Sequence, residues 1–198
     1  MTEAATVTAG RVIAGTARGA KLVAPASGVR PLGDRVKQTL FAILEPELKA
    51  ASFLDLFAGS GAAGIEALSR GALRATFVER NAAALAAIER NLAATHLGGE
   101  GAEVVRGEVV AWLRRSGPSS GPFGVSVADP PYDEPGLLAD TLTTISAAGP
   151  DAILTAGGVL VSKHFWRTGP PASIGLLASV RERRFGETGL TFHRWEAG

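Results

Sequence analysis

No cysteine occurs in the 198 residues. Disulfides, thiolate zinc centres and cysteine nucleophiles are therefore excluded. Three histidines, His96, His164 and His193, are scattered without ligand spacing, so they read as surface or packing residues and no metal is expected. Long apolar runs are missing as well. The opening stretch MTEAATVTAGRV carries an early glutamate, and it reads as neither a signal peptide nor a membrane anchor, so a cytoplasmic protein is expected. Charge of one sign is also lacking: the net charge is only +1. What is present is an ordinary globular composition, 46% hydrophobic and 20% charged, long enough for one α/β unit with a short extension.

The distribution of charge says more than its sum. Arg11, Arg18, Lys21, Arg30, Arg35 and Lys37 face a single acid, Asp34, and Arg181, Arg183 and Arg184 cluster near the end of the chain. Sixteen of the twenty basic residues are arginine, the side chain suited to bidentate phosphate contacts. A phosphate-binding surface and a plain solvated face both fit such a pattern.

Periodicity divides the chain into an appendage, residues 1–50, and a catalytic unit, residues 51–198. In the first, 10–14 and 19–23 predict a small hairpin punctuated by Gly15 and Gly19. A helix follows with Asp34 as its N-cap and an apolar face of Val36, Leu40, Phe41, Ile43 and Leu44, ended or bent at Pro46. From residue 53 strands and helices alternate: strands at 53–58, 74–79, 102–106, 123–129 and 157–163, helices at 62–70, 82–94, 109–115 and 136–147. Residues 117–122 read as a loop. Two further strands, 176–185 and 189–195, form a terminal hairpin. The pattern predicts a Rossmann-like α/β fold, a seven-stranded, mostly parallel sheet with right-handed crossovers closed by an antiparallel hairpin.

Leu54-Asp55-Leu56-Phe57-Ala58-Gly59-Ser60-Gly61 sets a glycine-rich turn between an apolar strand and a helix, where open α/β sheets bind ligands. With Gly64 it also satisfies G-x-G-x-x-G, so a dinucleotide is one candidate. Asp55 favours another, because a carboxylate there repels a pyrophosphate but attracts the ammonium of S-adenosylmethionine. Glu79, ending the next strand, suits ribose hydroxyls of either ligand, with Arg80 and Asn81 finishing that wall or starting the next helix. Glu108 is placed for an adenine amino group, beside the Val109 backbone; an acid at a helix start is also ordinary capping.

Asp129-Pro130-Pro131-Tyr132 follows the fourth strand, at the same sheet edge. Two prolines stiffen the turn and fix its carbonyl directions. That rigidity suits methylation of an exocyclic base amine, a poor nucleophile whose lone pair is delocalised. The Asp129 carboxylate and Pro130 carbonyl are candidate acceptors for its hydrogens, and Tyr132 offers a stacking face worth ~1–3 kcal/mol. The sulfonium of S-adenosylmethionine is already a good leaving group, so the protein's task is positioning.

At this point the chain resembles the RsmD-type small-subunit rRNA guanine-N2 methyltransferases. The resemblance rests on RVIAGTARGAKL (11–22), RPLGDRVKQTLFAIL (30–44), LDLFAGSGAAGIEALSRGA (54–72), FVERN (77–81), DPPY (129–132) and FGETGL (185–190). The glycine loop and DPPY are shared by many methyltransferases; the two N-terminal motifs narrow the choice. The resemblance implies a class I methyltransferase using S-adenosylmethionine on the N2 of guanine (the 966 class) in 16S rRNA of the assembling small ribosomal subunit. Oligomeric state is not readable from the residues, and a monomer is the default expectation. Arg11, Arg18, Lys21, Arg30 and Arg35 are the candidate RNA contacts. Gly124, Glu108 and Leu32-Gly33 depart from the family's usual residues, without touching the proposed catalytic groups. An N6-adenine or protein-amide methyltransferase, and an RNA-binding assembly factor without turnover, are the competing readings.

Overall fold

The computed structural model describes residues 8–25, 32–134 and 136–196. Alternating apolar strands and amphipathic helices wind into one sheet. Its parallel part comprises β3 (Ser52–Leu56), β4 (Arg74–Glu79), β5 (Ala102–Arg106), β6 (Phe123–Ala128) and β7 (Leu154–Phe165), after the separate hairpin strands β1 (Thr8–Arg11) and β2 (Lys21–Val23). The antiparallel part is β8 (Ser173–Ile174), β9 (Leu177–Phe185) and β10 (Thr188–Trp195), giving the order β5-β4-β3-β6-β7-β10-β9-β8. The seven expected strands and the terminal hairpin are all there. The additional strand is β8, two residues long at the sheet's edge. From β3 the chain winds outward to β5, then returns to β6 on the other side of β3. The loops leaving β3 and β6 thus diverge and open a crevice at their carboxyl ends.

Strand alternation supplies a core to each face. Phe53, Phe77, Val125, Val127 and Phe192 pack with Leu40 and Phe41 of α1 (Asp34–Leu48), Ile65 of α2 (Ala62–Ser69) and Ile88 of α3 (Ala82–Thr95). Leu54, Leu56, Val78 and Leu160 face the other way, against Trp112 and Leu113 of α4 (Val109–Arg115) and Leu142 and Ile145 of α6 (Leu137–Ala148). Among the described residues no helix is long and apolar enough to cross a membrane.

Five local expectations are corrected or narrowed. Asp34 is the first helical residue, not the cap; Gly33 holds that position, and the Asp34 carboxylate lies 3.4 Å from Arg11. Pro46 stands inside the last turn of α1, which continues to Leu48. Residues 117–120 coil into a single helical turn, α5 (Gly117–Ser120), and β7 extends beyond the expected strand at both ends. Lys37, counted with the basic cluster, is fully buried: its ammonium lies 3.6 Å from Glu66 and donates to the Arg11 carbonyl.

The hairpin is held by buried polar side chains of α2 and α3. Glu66 accepts the N–H groups of Ile13 and Ala14, at 2.8 and 3.0 Å, as well as the Arg70 guanidinium at 2.8 Å. Ser69 donates to the Ala14 carbonyl and accepts from Ala17. Asn91 accepts from Val23 N–H at 2.8 Å and donates both to the Val23 carbonyl (3.0 Å) and to the Ser60 carbonyl (2.8 Å). Gly15 is obligatory here, since a Cβ on it would lie 1.7 Å from the Ser69 carbonyl oxygen.

Candidate functional site

Three left-handed residues in five, Phe57 (φ 62°), Gly59 (φ 56°) and Gly61 (φ 75°), fold the chain sharply between β3 and α2. Phe57 is the unusual one, because a side chain at positive φ is strained. The turn is pinned by Ala58 N–H to the Val78 carbonyl at 3.1 Å and Gly61 N–H to the Ala58 carbonyl at 2.7 Å. Gly64 serves packing instead: a Cβ there would come within 2.2 Å of the Phe77 ring. The G-x-G-x-x-G spacing therefore joins two turn glycines to one that lets helix and sheet approach.

A cavity of about 650 Å³ opens at this edge, between the loops after β3 and β6. It is lined by Asp55, Phe57, Ala58, Gly59 and Ser60 from the first loop, by Glu79, Arg80 and Asn81 after β4, by Glu108 and Val109 after β5, and by Asp129, Pro130 and Tyr132 after β6. Of the residues chosen from sequence for the cofactor and the chemistry, only Gly61 is not on its wall; its place is in the turn behind. Asn81 both lines the cavity and caps α3, accepting from Ala83 and Ala84 N–H groups.

The electrostatics of the cavity are acidic at its base. Asp55 is buried, accepts the Gly64 N–H at 2.8 Å, and is pushed up to about 8 chiefly by burial, with Asp129 and Glu79 adding to the shift. Asp129 is also raised by burial, against the opposing pull of Lys163. Glu79 accepts Gly59 N–H on one oxygen and the N–H groups of Arg80 and Asn81 on the other, each at 2.8 Å. Three carboxyl groups converging on one hollow fit a cationic ligand, which favours their ionised forms, and oppose a pyrophosphate. The donor set therefore suits the ammonium and sulfonium of S-adenosylmethionine better than a dinucleotide.

At the chemical end, Asp129 N–H donates to the Leu56 carbonyl at 3.3 Å, tying the start of the Pro-Pro turn to β3. The Asp129 carboxylate accepts from Lys163 Nζ at 2.6 Å, and the same ammonium stands 4.9 Å from the Tyr132 ring centroid. Tyr132 is 48% exposed, an aromatic face turned outward at the cavity. Arg80 is paired with Glu108 at 3.4 Å and with Glu134, so a cation links the loops after β4, β5 and β6.

Lys163 and Glu134 line the same cavity, and sequence reasoning passed them over. The signal for Lys163 was its place, an ionisable residue at the carboxyl end of an apolar strand beside the switch point. His164 and His193 are buried packing residues, bonded to Thr191 and Ser162 at 2.8 and 2.9 Å. Burial, helped by His164, pushes His193 down to about 4 and keeps it neutral. Of the candidate RNA contacts, Arg11, Arg18, Lys21 and Arg35 are exposed; Arg30 lies outside the described residues. Arg11 and Arg18 share a groove of about 470 Å³ with Asp34, Gln38 and Arg70.

Comparison with known proteins agrees with this architecture. Residues 10–194 match the family model described as Conserved hypothetical protein 95. YlbH of Bacillus subtilis, named for rRNA methylation, is 35% identical over 185 residues, covering 93% of this chain and 98% of its own. Ribosomal RNA small subunit methyltransferase D of Escherichia coli is 41% identical over 140 residues, 70% of this chain and 68% of its own. The solved structure of yhhF from Escherichia coli, described as a methyltransferase, superposes with a TM-score of 0.80 at 34% identity, over 95% of this chain and 98% of that one. With its glycine loop and DPPY turn on one cavity and residues 10–194 matched, the chain belongs to the Conserved hypothetical protein 95 family, that of the RsmD methyltransferases.

Proposed function

We propose that the protein transfers a methyl group from S-adenosylmethionine to the N2 amine of a guanine, of the 966 class, in 16S rRNA. The observation that carries this reading is the meeting of the Asp129-Pro130 turn with an acid-lined glycine-loop pocket in one cavity. The names of the relatives support rRNA as the substrate. The assembling small subunit, the cytoplasm and a monomeric enzyme complete the proposal.

S-adenosylmethionine supplies a methyl group on a sulfonium leaving group. Asp55 would face its ammonium. Glu79 Oε2 accepts one N–H, which leaves a lone pair for a ribose hydroxyl. Glu108 would take the adenine amino group beside the Val109 backbone, its 3.4 Å contact with Arg80 being loose enough to yield. Phe57, Ala58, Gly59 and Ser60 form the backbone wall, with Gly61 shaping the turn and Arg80 and Asn81 closing the ribose side.

The target base is read as one extruded from an RNA loop, where bases are accessible. Tyr132 gives it a stacking face. Asp129 and the Pro130 carbonyl accept the amine hydrogens and fix the nitrogen for in-line attack. As N2 gains the methyl group it sheds a proton, and Asp129 is the acceptor at hand. Burial has already raised the proton affinity of this carboxylate. The RNA backbone is held by exposed arginines, Arg11, Arg18 and Arg35 with Lys21 near the hairpin and Arg181, Arg183 and Arg184 on β9.

Asp129→Ala is expected to lower methyl transfer at least about 100-fold while S-adenosylmethionine still binds. Full activity in that variant would remove Asp129 from the mechanism. Mass mapping of the product on small-subunit particles decides the substrate: methylated N6-adenine or a protein amide would replace guanine N2. No transfer at all under conditions where the particle binds would leave a binding factor.

A further inference from the structure

Lys163 has no part in the chemistry above, yet it touches both groups that would hold the base. Its Nζ lies 2.6 Å from Asp129 Oδ1 and 4.9 Å from the Tyr132 ring centroid, and its side chain is only 11% exposed. A buried ammonium held in one place by a carboxylate and an aromatic ring is a preorganised hydrogen-bond donor. Nζ has three hydrogens, and the Asp129 contact uses one.

We propose that Lys163 is a specificity-determining residue that selects guanine by donating to its O6. The inference rests on the guanine-N2 reading and sharpens it. Along its Watson–Crick edge guanine presents a donor at N2, a donor at N1 and an acceptor at O6. The Asp129–Lys163 pair presents the complement in the same order: two carboxylate oxygens, then an ammonium. A carboxylate alone accepts from any planar amine. The adjoining cation removes that ambiguity, because adenine with its N6 amine at the reacting position sets N1 against the second carboxylate oxygen, acceptor to acceptor, and only C2–H against the ammonium. The unpaired polar group this leaves in a buried pocket is what makes rejection strong.

The position of Nζ over Tyr132 is compatible with a stacked base. A flat base rests about 3.5 Å above an aromatic ring. At 4.9 Å from the centroid, an ammonium standing in that same layer lies about 3.4 Å to the side of the ring centre, beside a base rather than between base and ring. Lys163 would then meet a stacked base at its edge and leave the ring face to it. Burial works against the Lys163 proton, but Asp129 and Tyr132 together outweigh it, so its affinity for the proton is raised and it stays a donor.

The test compares small-subunit particles carrying guanine at the target with particles carrying 2-aminopurine there. The analogue keeps the reacting N2 amine but lacks O6 and the N1 hydrogen. Wild-type enzyme is expected to prefer guanine strongly in kcat/KM. In Lys163→Met that preference should shrink about tenfold or more, since only the N1–H contact with Asp129 remains, and Lys163→Arg should restore most of it. S-adenosylmethionine binding by each variant verifies the fold. An unchanged preference in Lys163→Met overturns the role of Lys163 and leaves the guanine reading intact. Wild-type enzyme that methylates no guanine overturns the reading itself, and the inference with it.

Discussion

Asp55 is a carboxyl group placed where water cannot help it. Its folded pKa, about 8, lies above the ordinary value of 3.8, so the neutral form is favoured in the fold. The sign follows from linkage: this group stabilises the ligand-free protein fully below about pH 4, and that contribution is lost as pH rises through about 8. A cationic ligand reverses the balance by needing the carboxylate. S-adenosylmethionine affinity should therefore rise with pH, by up to about tenfold per unit, and level off above pH 8. Calorimetric titration from pH 6 to 9 measures this; in Asp55→Asn the dependence should flatten and binding weaken. A slope that survives in Asp55→Asn would place the titrating group elsewhere. At this scale the sequence was legible wherever a residue acts through its own chemistry. Asp129 and Glu79 announce themselves by type and position. Lys37 misled because a lysine in a basic run reads as exposed until Glu66, on a helix that comes later in the chain, is folded against it.

Among elements, hydrophobic period and glycine punctuation placed β3 to β6 and the helices between them within a residue or two, because each buries a face whose spacing is written in the chain. The misses share a cause. The two residues of β8 are too few to carry a period, and their pairing is supplied by β9. The turn at 117–120 is rich in serine and glycine, which read as loop, but it packs by Gly117 against Ile153. What the sequence did not reveal is the link between hairpin and glycine loop. Asn91, 1% exposed, bonds both β2 at Val23 and the loop at Ser60. Removing it leaves buried partners unsatisfied at both places, a cost of about 1–3 kcal/mol each. Asn91→Ala is expected to speed hydrogen exchange at the Val23 amide and to weaken S-adenosylmethionine binding several-fold. If only one of the two changes, hairpin and loop are independent.

The whole molecule distributes its charge unevenly. Residues 163–187 carry Lys163, Arg167, Arg181, Arg183 and Arg184 against Glu182 and Glu187, a net +3 in a chain whose total is +1. Among the described residues no strand lies beside the outer edge of β9 beyond Ala178, and Arg181, Arg183 and Arg184 are exposed there. Arg184 lies over Trp166, 4.7 Å from its ring centroid, an aromatic–cation pair of the kind that single-stranded RNA stacks on. If this edge carries phosphates, Arg181→Ala combined with Arg183→Ala should lower RNA affinity and flatten its salt dependence by about one unit of slope per arginine. Binding measured from low to high salt gives the answer, and an unaltered slope excludes β9 from the contact.

The docking of the hairpin has a consequence in time. Residues 8–23 are synthesised before α2 and α3, yet the amides of Ile13 and Ala14 find their acceptor in Glu66, 53 and 52 residues later, and Val23 finds its own in Asn91 after 68. Two short strands with such orphaned amides do not hold alone in water. The nascent hairpin must stay open until α3 has been made, so a segment synthesised before both helices is finished only after them.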